Sequence, residues 1–143
     1  MITDFRGEHA FLSNFWMFPI EYEGILYPST EHAYQAAKYY DRERKERIAA
    51  MPKPGQAKRA GQEPGIREDW RDVSIAVMRE VCEIKFQDPV LRAKLDATKG
   101  EILVEGNTWG DTFWGICNGV GENWLGRILM EIRDGQGGGL EKF

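Results

Sequence analysis

The chain is poor in metal-binding and cross-linking side chains. It holds two cysteines and two histidines in 143 residues. Cys82 and Cys117 stand far apart without a CxxC spacing, and neither His9 nor His32 falls at a metal-ligand interval from them. The pattern argues against a zinc site and a disulfide framework, and no metal or cofactor is expected. No apolar run approaches the ~20 residues that a bilayer crossing needs. The first residues also lack the charged-then-apolar order of a leader segment. These absences predict a cytoplasmic protein with no membrane partner. Net positive charge is missing too. At a formal −4, the chain is not built to bind nucleic acid over its whole surface, because such binding is largely phosphate neutralisation.

What is present is enough for one core: 42% of the residues are hydrophobic and 12% aromatic. The simplest organisation is a single domain over residues 1–134 and a flexible tail over 135–143, where Gly135 and Gly137 to Gly139 cluster. Charge is uneven along it. From Lys38 to Arg59 there are eight basic residues against three acidic ones, and from Met51 to Arg59 no acid offsets the bases. That stretch is either a solvated helix face with internal ion pairs or a phosphate-binding edge.

Periodicity places the elements. Ile20 and Tyr22 alternate with polar neighbours, Glu23-Gly24 makes a two-residue turn, and Ile25 and Tyr27 return, which predicts a hairpin. Pro28 ends its second strand, Ser29 or Thr30 caps, and a helix is predicted from Glu31 to Ala50, stopped by Pro52 to Gly55. A linker with a short helical turn follows. Val73, Val77, Val81 and Ile84 predict an amphipathic helix from Asp69 or Trp70 to Gln87. Asp88-Pro89 opens another through Ala97, Ile102 to Val104 reads as a strand, and Leu125, Ile128, Leu129 and Ile132 predict a last helix from Asn123 to Arg133. The fold class is α+β, mostly helical, with a small antiparallel sheet.

Several segments carry chemistry. Glu31, Gln35 and Lys38 are spaced i, i+4, i+7, so at ~100° per residue a carboxylate, a carboxamide and an amine share one helix face among aromatic and small neighbours. The face is either a salt-linked surface stripe or a polar cleft. Asn14 and Phe15, in Phe11-Leu12-Ser13-Asn14-Phe15-Trp16, either satisfy turn backbone or touch a ligand. Trp70 opens a helix among charged residues, as packing anchor or stacking platform. The run from Glu105 to Gly115 places Trp109, Asp111, Phe113 and Trp114 on a glycine-flanked loop, suited to clamp a flat ring. There Asp111 either aids proton transfer or holds a turn. Gly121, Asn123 and Arg127 surround a helix start of the kind that binds anions.

Phe11-Leu12-Ser13-Asn14-Phe15, the run from Pro28 to Tyr39, Val77-Met78 with Lys85-Phe86, Asp111 to Gly115, Gly121 to Gly126 and Leu129 to Arg133 together resemble the NADAR (YbiA-like) family, from Phe5 to about Asp134. The resemblance implies an N-glycosidase that hydrolyses the bond between ribose C1 and an amine of a heterocycle. It implies two substrate classes: ADP-ribose on guanine in nucleic acid, where removal reverses ADP-ribosylation as an antitoxin would, and a ribosylaminopyrimidine phosphate of riboflavin synthesis. By the match, Glu31, Trp70, Asp111 and Trp114 fall at catalytic or base-holding positions, and Lys38 at the motif's lysine. The chemistry agrees, because cleaving a ribose C–N bond develops positive charge at C1 and needs a nearby carboxylate and an acid for the leaving amine. A Lys38 amine kept neutral could instead attack C1 and open the sugar as a Schiff base.

The expected catalytic residues are therefore Glu31, Lys38 and Asp111, and the expected substrate contacts Asn14, Phe15, Gln35, Trp70, Trp109, Trp114, Gly121, Asn123 and Arg127. The partner is a substrate, either ADP-ribosylated nucleic acid, favoured by the basic stretch, or a phosphoribosyl small molecule. The glycosidase reading requires the Glu31 and Asp111 carboxyls to meet at one sugar-sized hollow. A non-catalytic ADP-ribose or nucleotide-binding module and a protein-interaction domain are the competing classes.

Overall fold

The computed structural model describes residues 1–135. Their contacts fall into two compact units, one of Asn14–Lys85 and one of Met1–Ser13 with the residues from Phe86 onward. Most residues in regular elements are helical, and among the described residues no helix is long and apolar enough to cross a membrane.

The first unit opens with the hairpin β1 (Met17–Tyr22) and β2 (Ile25–Ser29), paired antiparallel with Ile20 opposite Tyr27 and Tyr22 opposite Ile25. Glu23 and Gly24 turn the chain at φ 51° and 84°. Two successive positive φ values match the right-handed twist of the strands, and glycine takes the second without steric cost. Ile20, Tyr22, Ile25 and Tyr27 are all buried, as their alternation requires. Pro28 does not end β2 but lies inside it, opposite an irregularity between Met17 and Ile20. There a missing N–H costs the ladder nothing.

The predicted helix from Glu31 to Ala50 is two helices, α1 (Thr30–Ala36) and α2 (Arg42–Ala49). Local capping breaks it. Asp41 accepts from the backbone N–H groups of Glu43 and Arg44 and so starts a new helix, while the Tyr39 hydroxyl donates to the carbonyls of Ala60 and Glu63. The stop at Pro52 to Gly55 holds, but its prolines also begin α3 (Pro54–Ala60), with Pro54 in the first helical position. α4 (Trp70–Lys85) completes the unit and buries Val77, Met78, Val81 and Cys82. Helix α1 is the hub, packed against β1, β2, α2, α3 and α4.

The second unit holds a 3-10 helix (Gly7–Leu12), α5 (Pro89–Asp96), the two-residue parallel pair β3 (Gly106–Asn107) and β4 (Ile116–Cys117), and α6 (Trp124–Asp134). α5 starts as its sequence prescribes, with the Asp88 carboxylate accepting from the Leu91 N–H. α6 buries Leu125, Ile128, Leu129 and Ile132. The predicted strand from Ile102 to Val104 reduces to a single parallel bridge between Leu103 and Ile2. Its other edge is taken up by a side chain: Asn123 Nδ2 donates to the Leu103 carbonyl at 2.9 Å, and Asn123 Oδ1 accepts the Glu105 N–H at 3.0 Å. Gly135 caps α6 at φ 77°, and the rest of the expected tail lies outside the described residues.

Candidate active site

Helix α1 is short and unusually placed: every one of its residues is buried, including Thr30, Glu31, His32 and Gln35. Its start is fully capped. Ser29 Oγ accepts the His32 N–H at 3.2 Å and lies 2.6 Å from His32 Nδ1. The far side of the same ring, Nε2, is 2.9 Å from the Met51 carbonyl, which can only accept, so Nε2 carries the proton. Burial lowers the His32 pKa and keeps it neutral. This histidine is a structural pin of the helix start.

Asn14 is equally occupied. Its backbone carbonyl accepts the Glu31 N–H at 3.2 Å, its Oδ1 accepts the Thr30 hydroxyl at 2.8 Å, and its Nδ2 donates to Met78 Sδ at 3.2 Å. These bonds give Asn14 the task of fixing α1, and Phe15 beside it is exposed.

Glu31 therefore enters a dry environment from the first turn of a helix, where the backbone dipole favours a carboxylate. It is 7% exposed, and its Oε2 accepts from Gln35 Nε2 at 2.7 Å. Lys38 lies just past the helix end, with its N–H on the Gln35 carbonyl, so the turn continues far enough to keep all three residues on one side. Its ammonium donates to the Gly61 carbonyl at 2.9 Å and sits 6.0 Å from the ring centres of both Tyr34 and Trp70. Those rings tilt against each other at 5.1 Å. Burial pulls the Lys38 pKa below the ordinary 10.5, and the Glu31 carboxylate acts against that shift by favouring the charged amine.

A strap fixes this end of the unit. The Arg67 N–H donates to the Lys38 carbonyl at 2.8 Å, and its guanidinium makes a two-pronged bond to Asp69 at 2.6 and 2.9 Å. The same guanidinium lies 4.7 Å from the Tyr40 ring centre, and the Arg67 carbonyl accepts the Trp70 N–H. The structure thus brings Glu31, Gln35, Lys38 and Trp70 together. A carboxylate, an amine of depressed basicity and two aromatic faces suit a substrate that develops positive charge beside a flat ring. Tyr34, Gly61 and Arg67 belong to this group and are missed by sequence reasoning. Tyr34 left a signal four residues before Lys38 on the same face, and Arg67 one among the charged residues beside Trp70.

The remaining expected residues, Trp109, Asp111, Trp114, Gly121, Asn123 and Arg127, lie in the second unit. Asp111 Oδ1 accepts the N–H groups of Phe113 and Trp114 at 3.1 and 2.9 Å. Asn107 holds the same loop, accepting the Asp111 N–H at 3.0 Å and donating to the Asp111 carbonyl at 2.8 Å. One Asp111 oxygen thus serves the turn. Phe113 and Trp114 pack edge to face at 4.8 Å, and Trp109 is 58% exposed.

The glycine-rich start of α6 is not an open anion cradle. The N–H groups of Glu122, Asn123, Trp124 and Leu125 already donate to the carbonyls of Thr112, Gly115, Phe113 and Trp114. Arg127 stacks on Trp124 at 4.8 Å. Asn123 joins α6 to the Leu103–Glu105 backbone, so Asn123→Ala strands a donor and an acceptor in the interior. We expect it to lower unfolding stability by about 2 kcal/mol, read as a lower denaturant midpoint at unchanged slope.

A family model described as the NADAR domain matches residues 3–135. N-glycosidase YbiA of Escherichia coli K12 is 38% identical over 131 residues, covering 89% of this chain and 81% of that protein. A riboflavin biosynthesis protein of Vibrio vulnificus is 38% identical over 130 residues, but the match covers only 35% of its length. The NMR structure of E. coli YbiA superposes with a TM-score of 0.83 at 36% identity, over 99% of this chain and 87% of that one. With a buried acid, a depressed amine and an aromatic pair assembled on α1, and with these likenesses spanning nearly all of its length, the chain belongs to the NADAR family.

Proposed function

We propose that this chain, a NADAR-family hydrolase of N-glycosyl compounds, cleaves the bond between ribose C1 and an amine of a heterocyclic base, and that its substrate is ADP-ribose joined to guanine in nucleic acid. The observation that carries the reading is the dry assembly of Glu31, Gln35 and Lys38 beside Trp70 and Tyr34. Glu31 stabilises positive charge at C1, Lys38 serves as nucleophile or as a hydroxyl or phosphate contact, and Trp70 offers a face to the base.

The basic stretch favours nucleic acid. Part of it is spent internally: Arg42 pairs with Glu46, Lys45 with Glu23, and Arg44 donates to the Pro64 carbonyl and lies over Tyr39. Arg47, Lys53 and Arg59 are exposed, the last on α3, which packs on α1. A single phosphate on a small metabolite needs fewer cations than this.

The decisive experiment incubates the protein with ADP-ribosyl-guanine DNA and, in parallel, with the ribosylaminopyrimidine phosphate, and measures released sugar. Release from the DNA alone supports the reading; release from the metabolite alone moves the chain to the riboflavin reaction, which the name of its Vibrio relative favours. Salt gives an independent check. For the DNA substrate, log Kd plotted against log salt should lose about one unit of slope with each of Lys53→Gln and Arg59→Gln if these side chains meet phosphates. An unchanged slope removes the basic face from substrate binding.

A further inference from the structure

Gly61 follows α3 in ordinary right-handed backbone, at φ −70° and ψ 0°, so its conformation does not call for glycine. Space does. A Cβ built there would overlap Gln35 Oε1 and lie 2.7 Å from Gln35 Cδ and 3.2 Å from Gln35 Cβ. The two residues fit face to face, with the Gln35 amide filling the room a side chain would take. Gln35 is 5% exposed, and the two ends of its amide have unequal partners. Nε2 donates to Glu31 Oε2 at 2.7 Å, whereas Oε1 makes no hydrogen bond. An unpaired buried carbonyl oxygen is unfavourable, because it has given up its water without gaining a donor. The arrangement tolerates that cost in the orientation that aims the donor end at the carboxylate. Gly61 meets the amine as well, since its carbonyl oxygen accepts from Lys38 Nζ at 2.9 Å.

We propose that Gly61 is a positioning residue for the reaction: its missing side chain seats the Gln35 amide that holds Glu31, and its carbonyl oxygen anchors the Lys38 amine. One peptide unit at the end of α3 thereby sets the acid and the amine relative to each other. Gln35 becomes a strut between Gly61 and Glu31 in place of a substrate contact. The inference rests on Glu31 and Lys38 acting in the reaction.

The test uses Gly61→Ala, Gln35→Ala and the double variant. Alanine is a better helix-end residue than glycine at this φ, so any loss comes from the collision with Gln35. A displacement near 1 Å of a catalytic group costs about 10²-fold in rate. Gly61→Ala should therefore lose about that factor in kcat with KM held within about twofold. With the Gln35 side chain absent, the methyl has room, and adding Gly61→Ala to Gln35→Ala should cost almost nothing more, a strong non-additivity. Equal losses in both backgrounds overturn the proposal.

A second readout needs no substrate. The pH dependence of Lys38 acylation by acetic anhydride, followed on the Lys38 peptide by mass spectrometry, should move to lower pH in Gly61→Ala. It should move further the same way in Glu31→Gln, because a carboxylate loosened from Gln35 supports the charged amine less. An acylation profile identical to the parent's also overturns the proposal. If the parent chain hydrolyses neither substrate, the glycosidase reading fails while the acylation profiles still decide the role of Gly61. If Gly61→Ala does not fold, the double variant carries the same decision: recovery of the fold there confirms the collision, and failure there refutes it.

Discussion

Glu31→Gln turns over an ADP-ribosyl-guanine oligonucleotide about 10²- to 10⁴-fold more slowly than the parent chain and still binds free ADP-ribose. The substitution keeps shape and removes charge. Glu31 sits 7% exposed in the first turn of α1, so little water screens the carboxylate from the sugar it is proposed to face. As the C–N bond breaks, the positive charge at C1 then has no fixed counter-charge from α1. Gln35 Nε2 keeps an acceptor in the new amide oxygen, so the helix should hold. Single-turnover kinetics measure the loss, titration calorimetry with ADP-ribose the binding, and a thermal scan the fold. Retained turnover would falsify the carboxylate's role and leave the ADP-ribose-binding module as the better class. Loss of binding together with turnover, at an unchanged melting point, would make Glu31 a recognition group.

Much of the fold is legible in the sequence because local rules act there without competition. The hairpin turn at Glu23-Gly24, the Ser29 cap and the apolar stripe of α6 each follow from two to four neighbouring residues. The long first helix is misread for a physical reason. Charged residues from Arg42 to Arg47 extend a helical pattern, but Asp41 caps afresh and Tyr39 is pulled away by two carbonyls of the α3 end. Tertiary hydrogen bonds outweigh propensity there. The Ile102 to Val104 strand fails in the same way, its edge satisfied by Asn123, twenty residues distant from Leu103.

The candidate site divides along the same line. The shared face of Glu31, Gln35 and Lys38 is a matter of helical spacing and is readable. Gly61 and Arg67 reach it only through the path of the chain after α3, which no periodicity encodes. Lys85 is a further instance: the four-residue steps of Val73, Val77 and Val81 put position 85 on the buried side of α4, but a lysine there, 1% exposed, is not what composition leads one to expect.

Lys38→Arg abolishes turnover if the amine is the nucleophile, and borohydride added during turnover then traps a sugar on the Lys38 peptide of the parent chain and none on the variant. The chemistry requires a neutral amine: its lone pair forms the bond to C1, the electrons of the C1–N bond leave with the heterocycle, and a proton must reach the departing nitrogen. Arginine stays protonated and cannot take that part. Burial has begun the task for Lys38 by lowering its pKa below 10.5, so the rate should climb with pH along a limb set by that lowered value. Glu31 opposes the shift, and its removal in Glu31→Gln should carry the limb to still lower pH even as the maximal rate falls.

Stability follows the same titration with a defined sign. Below its lowered pKa, Lys38 is charged in the folded and unfolded chain alike, and the full cost of burying it is carried. Between that pKa and 10.5 the unfolded chain binds more protons than the folded one, so stability rises with pH. Relative to Lys38→Met, which has no such group, the parent chain should gain stability across this window and level off above it. Denaturant midpoints for the pair at a series of pH values measure the difference. A gap that is flat, or that widens against the parent as pH rises, would mean that the amine is not held in its neutral form by burial, and the covalent route would lose its source of nucleophile.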